Sequence, residues 1–234
     1  MRIINTNSYG EMSAMTAGMI AAQVLLKPNC VLGLATGTSP IGAYQELIRM
    51  YENRRVDFSQ VKTVNLDEYC GLEPTNSQSY RYFMNKTLFE HINIDLSNTF
   101  LPDGMAEDGD QESQRYQALV ESLGGADLQL LGIGRNGHIG FNEPNDYFTR
   151  DVHQEQLTQS TIEANSRLFG EGEAVPTTAI TMGIGTIMKS DKIVLIAGVD
   201  KAEIVHEAMY GKVTPHVPAS VLQLHKDVTV ITCR

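Results

Sequence analysis

Tryptophan is absent from the sequence, cysteine occurs only three times, and 18 basic side chains face 28 acidic ones. The cysteines, Cys30, Cys70 and Cys233, are far apart and form no CxxC pair. This pattern predicts free thiols in a reducing compartment and argues against a structural zinc site. No run of about 18 apolar residues occurs, so no membrane-spanning helix is expected. The N-terminus also lacks the features of a signal peptide, and we expect a cytoplasmic protein.

The formal net charge of −10 argues against two classes of partner. An acidic chain repels nucleic acid and anionic membranes through its overall field, so we expect neither as a partner. The same field opposes a phosphorylated metabolite, so a phosphate site would have to be built locally. Because no repeat, low-complexity segment or linker interrupts the sequence, we expect one domain over residues 1–234.

Short apolar runs alternate with longer segments of helical periodicity. Five runs are typical of buried parallel strands, because both of their faces are apolar; they cover residues 30–35, 61–66, 128–133, 193–197 and 228–232. Helices are predicted at 9–26, 40–53, 79–91, 108–123 and 201–210, and a further strand at 2–5. The fold class is therefore α/β, an open, mostly parallel twisted sheet with helices on both faces, a modified Rossmann-like three-layer sandwich. Ligands bind such sheets beyond the carboxyl ends of the strands.

The segment after the 30–35 strand reads Thr36, Gly37, Thr38, Ser39, Pro40, and a helical pattern follows at once. Gly37 permits close backbone approach, and a helix N-terminus with nearby hydroxyls attracts phosphate. An ordinary helix cap is the alternative interpretation, since serine and threonine are common caps. The segment is not a Walker loop, because the GKS/GKT ending is missing.

The 61–66 strand leads into two acidic residues, Asp67 and Glu68. A carboxylate at the end of a buried strand can act as a general base, particularly where burial raises its pKa. A pair of solvated loop acids or a helix cap is the alternative at this stage. Tyr69, which follows, is typical of a packing residue.

The sequence from 132 to 144, GIGRNGHIGFNEP, holds the densest set of chemistry-bearing residues. Its first three glycines match GxGxxG formally, but the motif should open a long helix, and here glycine, histidine and proline follow within a few residues. We interpret the glycines as allowing a close wrap around a small ligand while His138 and Glu143 form a general acid/base pair. No metal is expected, because the six histidines do not cluster. The following residues to 176 look irregular and long enough to include a lid.

Taken together, these segments resemble glucosamine-6-phosphate deaminase (isomerase). The resemblance rests on TGTSP at 36–40, NLDEY at 65–69 and NGHIGFNEP at 136–144, and continues through ANSR at 164–167 and DKA at 200–202. It spans nearly the whole chain in order. The 136–144 motif is specific, whereas the TGTSP element is shared with 6-phosphogluconolactonases and sugar-phosphate-sensing regulators.

The resemblance implies conversion of an amino-sugar 6-phosphate, glucosamine 6-phosphate, and water to fructose 6-phosphate and ammonia, without a cofactor. By the same resemblance, His138 opens the pyranose ring with Glu143 and Asn136 in support. Asp67 takes the proton from C2 and returns it at C1. The phosphate is bound by the backbone and hydroxyls of 36–39 together with two cations, Arg167 and Lys201.

Two features depart from the family pattern. Some members carry aspartate where this chain has Asn136, which can orient His138 by hydrogen bonding but cannot hold the same charge. Larger members are allosteric hexamers with a longer C-terminal region, whereas this chain stops at Arg234. We therefore expect a monomer without an allosteric site.

Three alternatives remain open from the sequence. A 6-phosphogluconolactonase would hydrolyse an ester and would not need Asp67 as a carbon base. A galactosamine-6-phosphate deaminase would act on a substrate that differs in the configuration of one hydroxyl. The sequence does not show which residue would recognise that hydroxyl. A sugar-phosphate-sensing regulator would need a basic DNA-reading element, and this acidic chain begins with a strand.

Overall fold

A computed structural model describes residues 1–166, 169 and 174–233 of the chain. The described residues form ten strands, in chain order β1 Arg2–Thr6, β2 Val31–Leu34, β3 Lys62–Asn65, β4 Asp67–Tyr69, β5 Thr99–Phe100, β6 Leu128–Leu131, β7 His153–Gln156, β8 Thr178–Thr181, β9 Ile193–Ala197 and β10 Val228–Cys233. The α-helices are α1 Tyr9–Leu26, α2 Ile41–Glu52, α3 Tyr80–Thr87, α4 Gly109–Ser122, α5 Gln159–Ser166, α6 Ile184–Met188 and α7 Ala202–Tyr210.

Seven strands form one sheet in the order β1-β10-β9-β6-β2-β3-β5, and each neighbouring pair is parallel. From β2 the chain moves to β3 and β5 on one side, and from β6 to β9 and β10 on the other. Right-handed crossovers therefore place α2 and α7 on opposite faces. The expected open α/β sheet with helices on both faces is confirmed, and the strand order reverses between β2 and β6.

A second sheet of three antiparallel strands, in the order β4-β8-β7, was not expected. β7 is the polar sequence HQEQ with alternating half-buried and exposed positions, so it carries no apolar signal. β4 begins only two residues after β3 ends. Asp67 therefore lies in a short strand and not in the loop that the sequence predicted. The segment read as irregular after Glu143 contains β7 and α5.

The predicted helices form where their capping residues indicated. The Ser79 side chain accepts a hydrogen bond from the Tyr82 amide at the start of α3. The Asp108 carboxylate accepts from the amides of Asp110 and Gln111 at the start of α4. Observed bounds differ from the predicted ones by a residue or two for most elements, and α3 by four residues at its end.

The central strands carry the apolar core. All five residues of β9 are buried, as are all residues of β2 and β6, as expected for strands covered on both faces. No helix among the described residues is long and apolar enough to cross a membrane.

Candidate active site

A cavity of about 750 Å³ opens at the carboxyl ends of β2, β3, β6 and β9. It therefore lies where the strand order reverses, the usual ligand position in an open α/β sheet. The predicted residues that line it are Thr36, Gly37, Thr38, Ser39, Asp67, Asn136, His138 and Lys201. Glu143 lies behind His138, and Arg167 falls outside the described residues.

His138, Glu143 and Asn136 form one hydrogen-bonded group. Glu143 Oε2 lies 3.3 Å from His138 Nδ1 and accepts from Asn136 Nδ2 at 2.6 Å. Asn136 Oδ1 accepts from the backbone amide of His138 at 3.3 Å. Because Nδ1 is engaged by the carboxylate, Nε2 is the nitrogen left for a ligand. The structure thus brings together all three residues that the loop sequence singled out.

Glu143 is held as an anion by its neighbours. Burial by itself would raise the pKa of Glu143, but the hydrogen bond and charge of His138 and hydrogen bonds from Thr161 and Asn136 outweigh burial. They lower the pKa to about 2. A carboxylate that stays ionised beside an imidazole orients the ring and stabilises its protonated form.

Gly134 provides the space in which the His138 ring lies. A Cβ added to Gly134 would come within 2.3 Å of His138 Nε2 and 2.4 Å of Cε1. The Gly134 amide also donates to the His138 carbonyl at 2.9 Å, and the Gly137 amide donates to the Gly134 carbonyl at 3.0 Å. The glycines therefore form a tight turn that presents the imidazole to the cavity.

Two side-chain contacts fix the far end of this loop. The Phe141 amide donates to Thr181 Oγ1 at 3.0 Å. Asn142 Nδ2 donates to the carbonyls of Ile139 and Met182, at 2.9 and 2.7 Å. Because Thr181 and Met182 lie at the end of β8, the loop is attached to the small sheet that also carries Asp67.

Asp67 lies on the cavity wall with 6% of its surface exposed. Burial raises the pKa of Asp67 to about 8, and the adjacent charge of Glu68 adds to the rise. A carboxylate with this environment is a stronger base than a solvated one once it is ionised. Its position and electrostatics fit the general base that the sequence allowed.

Glu68 has a structural role instead. Its carboxylate accepts from the amides of Tyr80 and Arg81, each at 2.9 Å, at the start of α3. It also accepts from the Tyr69 amide at 2.9 Å and from the Ser79 hydroxyl at 3.2 Å. The two adjacent acids therefore have different environments, because Glu68 caps a helix while Asp67, to which the resemblance assigned the role of base, faces the cavity.

The 36–39 segment has the features of an anion-binding loop. Gly37 has a φ of 88°, a conformation that favours glycine. The amides of Gly37, Thr38 and Ser39 donate to no described residue, and α2 begins just beyond Pro40, one residue later than predicted. Amides at a helix start that lack protein partners are suited to phosphate oxygens.

Lys201 contributes a cation to the same cavity from the segment after β9. It lies at the start of α7, and its Nζ is 4.0 Å from Asp200 Oδ2. Asp200 also lies 3.7 Å from the guanidinium of Arg135. Lys201 therefore supplies positive charge on the β9 side of the cavity, in an otherwise acidic protein.

Sequence reasoning missed several wall residues. Tyr80 lines the cavity with its ring near parallel to that of Phe141, 6.0 Å between centroids. Thr161 and Asn165 line it from α5, and Asn165 Nδ2 donates to the Tyr69 hydroxyl at 2.8 Å. The Tyr80 and Thr161 positions carry no local motif that could have indicated them. Asn165 belonged to the resemblance, but its partner is distant in sequence.

Among the described residues, no group of three or more histidine, cysteine, aspartate or glutamate side chains is placed to hold a metal ion. The constellation in the cavity is instead an acid/base pair, a separate buried carboxylate and an anion-binding loop. Such a set can move protons on a phosphorylated ligand at two different atoms.

The profile of the family described as glucosamine-6-phosphate isomerases/6-phosphogluconolactonase matches residues 10–231. The chain belongs to this family. A relative named glucosamine-6-phosphate deaminase from Lachnoclostridium phytofermentans is 58% identical over 234 residues, which cover 100% of this chain and 99% of that protein. A protein of the same name from Clostridioides difficile is 53% identical, over 99% of this chain and 93% of its own length.

Two solved structures are similar to this chain to different degrees. A structure described as a monomeric glucosamine-6-phosphate deaminase superposes with a TM-score of 0.97 at 45% identity, covering 100% of this chain and 98% of the other. A 6-phosphogluconolactonase from Shewanella baltica superposes with a TM-score of 0.80 at 18% identity, over 100% of this chain and 97% of the other. The second similarity shows a shared fold only.

Proposed function

We propose that the chain is a glucosamine-6-phosphate deaminase, which converts glucosamine 6-phosphate and water to fructose 6-phosphate and ammonia. The observation that carries the proposal is the meeting of the His138–Glu143 pair, the Asp67 carboxylate and the 36–39 loop at one cavity. The full-length relatives named for this reaction support it. Residues 1–234 act in it as one domain.

Ring opening is assigned to His138. The step moves a proton from the O1 hydroxyl to the ring oxygen, and an imidazole can accept the first and return it to the second. Glu143 stays ionised and stabilises the imidazolium that forms in between. Asn136 donates to Glu143 and adds no charge of its own, so the pair carries one negative charge where some relatives carry two.

Proton transfer between carbons is assigned to Asp67. In the open-chain amino aldehyde, Asp67 removes the proton from C2, and the electron pair forms an enolamine across C1 and C2. Return of the proton to C1 gives a C2 iminium. Water adds at C2 and ammonia leaves, which balances the reaction as one water consumed and one ammonia released.

Phosphate binding is assigned to the amides and hydroxyls of 36–39 with Lys201 and Arg167. Amides at the start of α2 and a lysine charge would hold the phosphate dianion against the acidic field of the protein. Arg167 enters this assignment through the family resemblance alone. The monomeric relative supports a monomer for this chain, and a cytoplasmic location stays a prediction from the cysteine pattern.

The assignment is tested by supplying glucosamine 6-phosphate, galactosamine 6-phosphate and 6-phosphogluconolactone separately and measuring ammonia, ketose 6-phosphate and acid release. We expect equal amounts of ammonia and fructose 6-phosphate from the first substrate. Faster turnover of galactosamine 6-phosphate would show that this sugar phosphate is the preferred substrate. Lactone hydrolysis without ammonia release would show that the chain is a lactonase. Absence of any turnover, with tight sugar-phosphate binding, would favour a sensor.

A further inference from the structure

Thr181, at the end of β8, faces Asp67 across the small antiparallel sheet. The Met182 amide donates to the Leu66 carbonyl at 2.7 Å, so residues 66 and 182 form a hydrogen-bonded pair. The next pair, Asp67 and Thr181, is then a non-hydrogen-bonded one. In such pairs both side chains point to the same face, and the Cα atoms approach to about 4.5 Å.

Gly140 of the loop that carries His138 lies over this pair. A Cβ on Gly140 would lie 2.9 Å from Thr181 Oγ1 and 3.6 Å from Asp67 Oδ2. Gly140 has a φ of 58°, which together with this crowding favours glycine. The hydroxyl and the carboxylate therefore flank one backbone position of the loop.

The Thr181 hydroxyl accepts one hydrogen bond, and its donor position is unused among the described residues. Its oxygen accepts from the Phe141 amide at 3.0 Å, and the side chain is completely buried. Among the residues that the structure describes, the hydroxyl proton meets no acceptor, and the Asp67 carboxylate meets no donor. A buried hydroxyl proton requires an acceptor, and an ionised carboxylate on the same face of the sheet can provide one.

We propose that Thr181 is a positioning residue for the carbon base: its hydroxyl donates to Asp67 when the carboxylate is ionised, while its oxygen holds the Phe141 amide. This inference rests on the proposed function, since it concerns the base of that reaction. Thr181 thus connects the residue that moves the carbon-bound proton to the loop that opens the ring. The two residues are directly opposed on neighbouring strands, so their side chains lie on the same face of the small sheet.

Several other ionisable groups lie around Asp67. They are Glu68 on its own strand, Tyr69 and Tyr80 on the aromatic wall, Tyr116 of α4, and His138, Asp200 and Lys201 across the cavity. A substitution at Thr181 replaces none of these groups, although loss of the Phe141 contact can displace the loop that carries His138. The acidic limb of the pH profile is therefore read together with the primary isotope effect, which reports on proton removal at C2, the step assigned to Asp67.

The test compares the wild-type chain with Thr181→Val, which removes the hydroxyl, and Thr181→Ser, which keeps it. Thr63→Val is the matched control, because Thr63 is an equally buried strand residue whose Oγ1 has no partner among the described residues. Each protein is assayed with glucosamine 6-phosphate and its C2-deuterated form across pH. The readouts are kcat, the primary isotope effect and the acidic limb of kcat/KM.

For Thr181→Val we expect kcat to fall about tenfold to a hundredfold, the scale of one hydrogen bond to a charged group. Loss of the donor disfavours the ionised base, so the acidic limb should move up by about one pH unit. The isotope effect should increase as proton removal becomes more rate-limiting. Thr181→Ser should stay near the wild type in all three readouts, and so should Thr63→Val.

A Thr181→Val enzyme with lower kcat but an unchanged limb and isotope effect would overturn the inference, because loss of the Phe141 contact alone would explain it. If Thr181→Val does not fold, Thr181→Ala against Thr181→Ser makes the same comparison of one hydroxyl. Absence of deamination by the wild type would count against the proposed function itself, and is seen before any variant is made.

Discussion

Gly134 carries no reactive group, yet the position of the His138 ring depends on it. The imidazole lies against the Cα of Gly134 so closely that any side chain there would overlap it. A general acid/base must lie within hydrogen-bonding reach of the proton that it transfers, so displacing the imidazole by one ångström lowers the reaction rate. At the scale of single residues, the site therefore depends on the absence of a side chain at Gly134 as well as on the side chain of His138.

Gly134→Ala should lower kcat by at least about tenfold while leaving the thermal midpoint within a few degrees, because a displaced imidazole has the cavity to move into. Steady-state kinetics and thermal unfolding check this. Gly18→Ala is the control: it lies inside α1 with no atom within 4 Å of the added Cβ outside its own helix. It should keep full activity and gain up to about 1 kcal/mol. Full activity of Gly134→Ala would show that the ring does not need its present position.

Asp67 should weaken folding as the pH rises. Its pKa in the folded protein is about 8, above the value of 3.8 for an unperturbed aspartate. The folded state therefore binds the proton more tightly, and stability falls between about pH 4 and pH 8. Asp67→Asn removes this cost, so it should be more stable than the wild type by roughly a few kcal/mol at pH 9 and equal to it near pH 4. Denaturant unfolding at both pH values measures it; a constant difference would contradict the raised pKa.

At the scale of elements, helix α3 is positioned by a carboxylate from a different strand. Glu68 of β4 accepts the first amides of α3, and Tyr80, the first residue of that helix, lines the cavity. A carboxylate at a helix N-terminus is stabilised by the hydrogen bonds that it accepts from the helix amides and also by the helix dipole. The small sheet, α3 and the aromatic wall therefore form one unit next to Asp67.

Glu68→Gln should destabilise this unit, because the amide nitrogen would face N–H groups that now donate to an oxygen. The expected loss is about 2–3 kcal/mol, which lowers the thermal midpoint by several degrees. KM should rise as Tyr80 shifts. Glu121→Gln is the control: Glu121 lies on α4 and forms an exposed ion pair with Lys189, so its loss should change stability by under about 1 kcal/mol. Equal effects of the two substitutions would contradict the capping role.

At the scale of the whole molecule, the sequence predicted the parallel sheet because its strands are apolar on both faces, and it located the site because ligands bind at their carboxyl ends. His138, Glu143 and Asn136 were predictable because one loop carries them all. The small sheet was not, since HQEQ at β7 has no apolar alternation and β4 has only three residues. Contacts such as Asn165 with Tyr69 join residues 96 positions apart, which no local pattern encodes.

The central claim is that ring opening and carbon-to-carbon proton transfer occur in one cavity, with different residues responsible. The most direct measurement follows C2-deuterated glucosamine 6-phosphate by NMR with the wild type and with Asp67→Asn. The account predicts that the wild type removes the deuterium from C2 and forms fructose 6-phosphate and ammonia in equal amounts. Asp67→Asn should be slower by about a hundredfold to ten-thousandfold, the usual contribution of a general base. Deuterium loss by Asp67→Asn at the wild-type rate would contradict it.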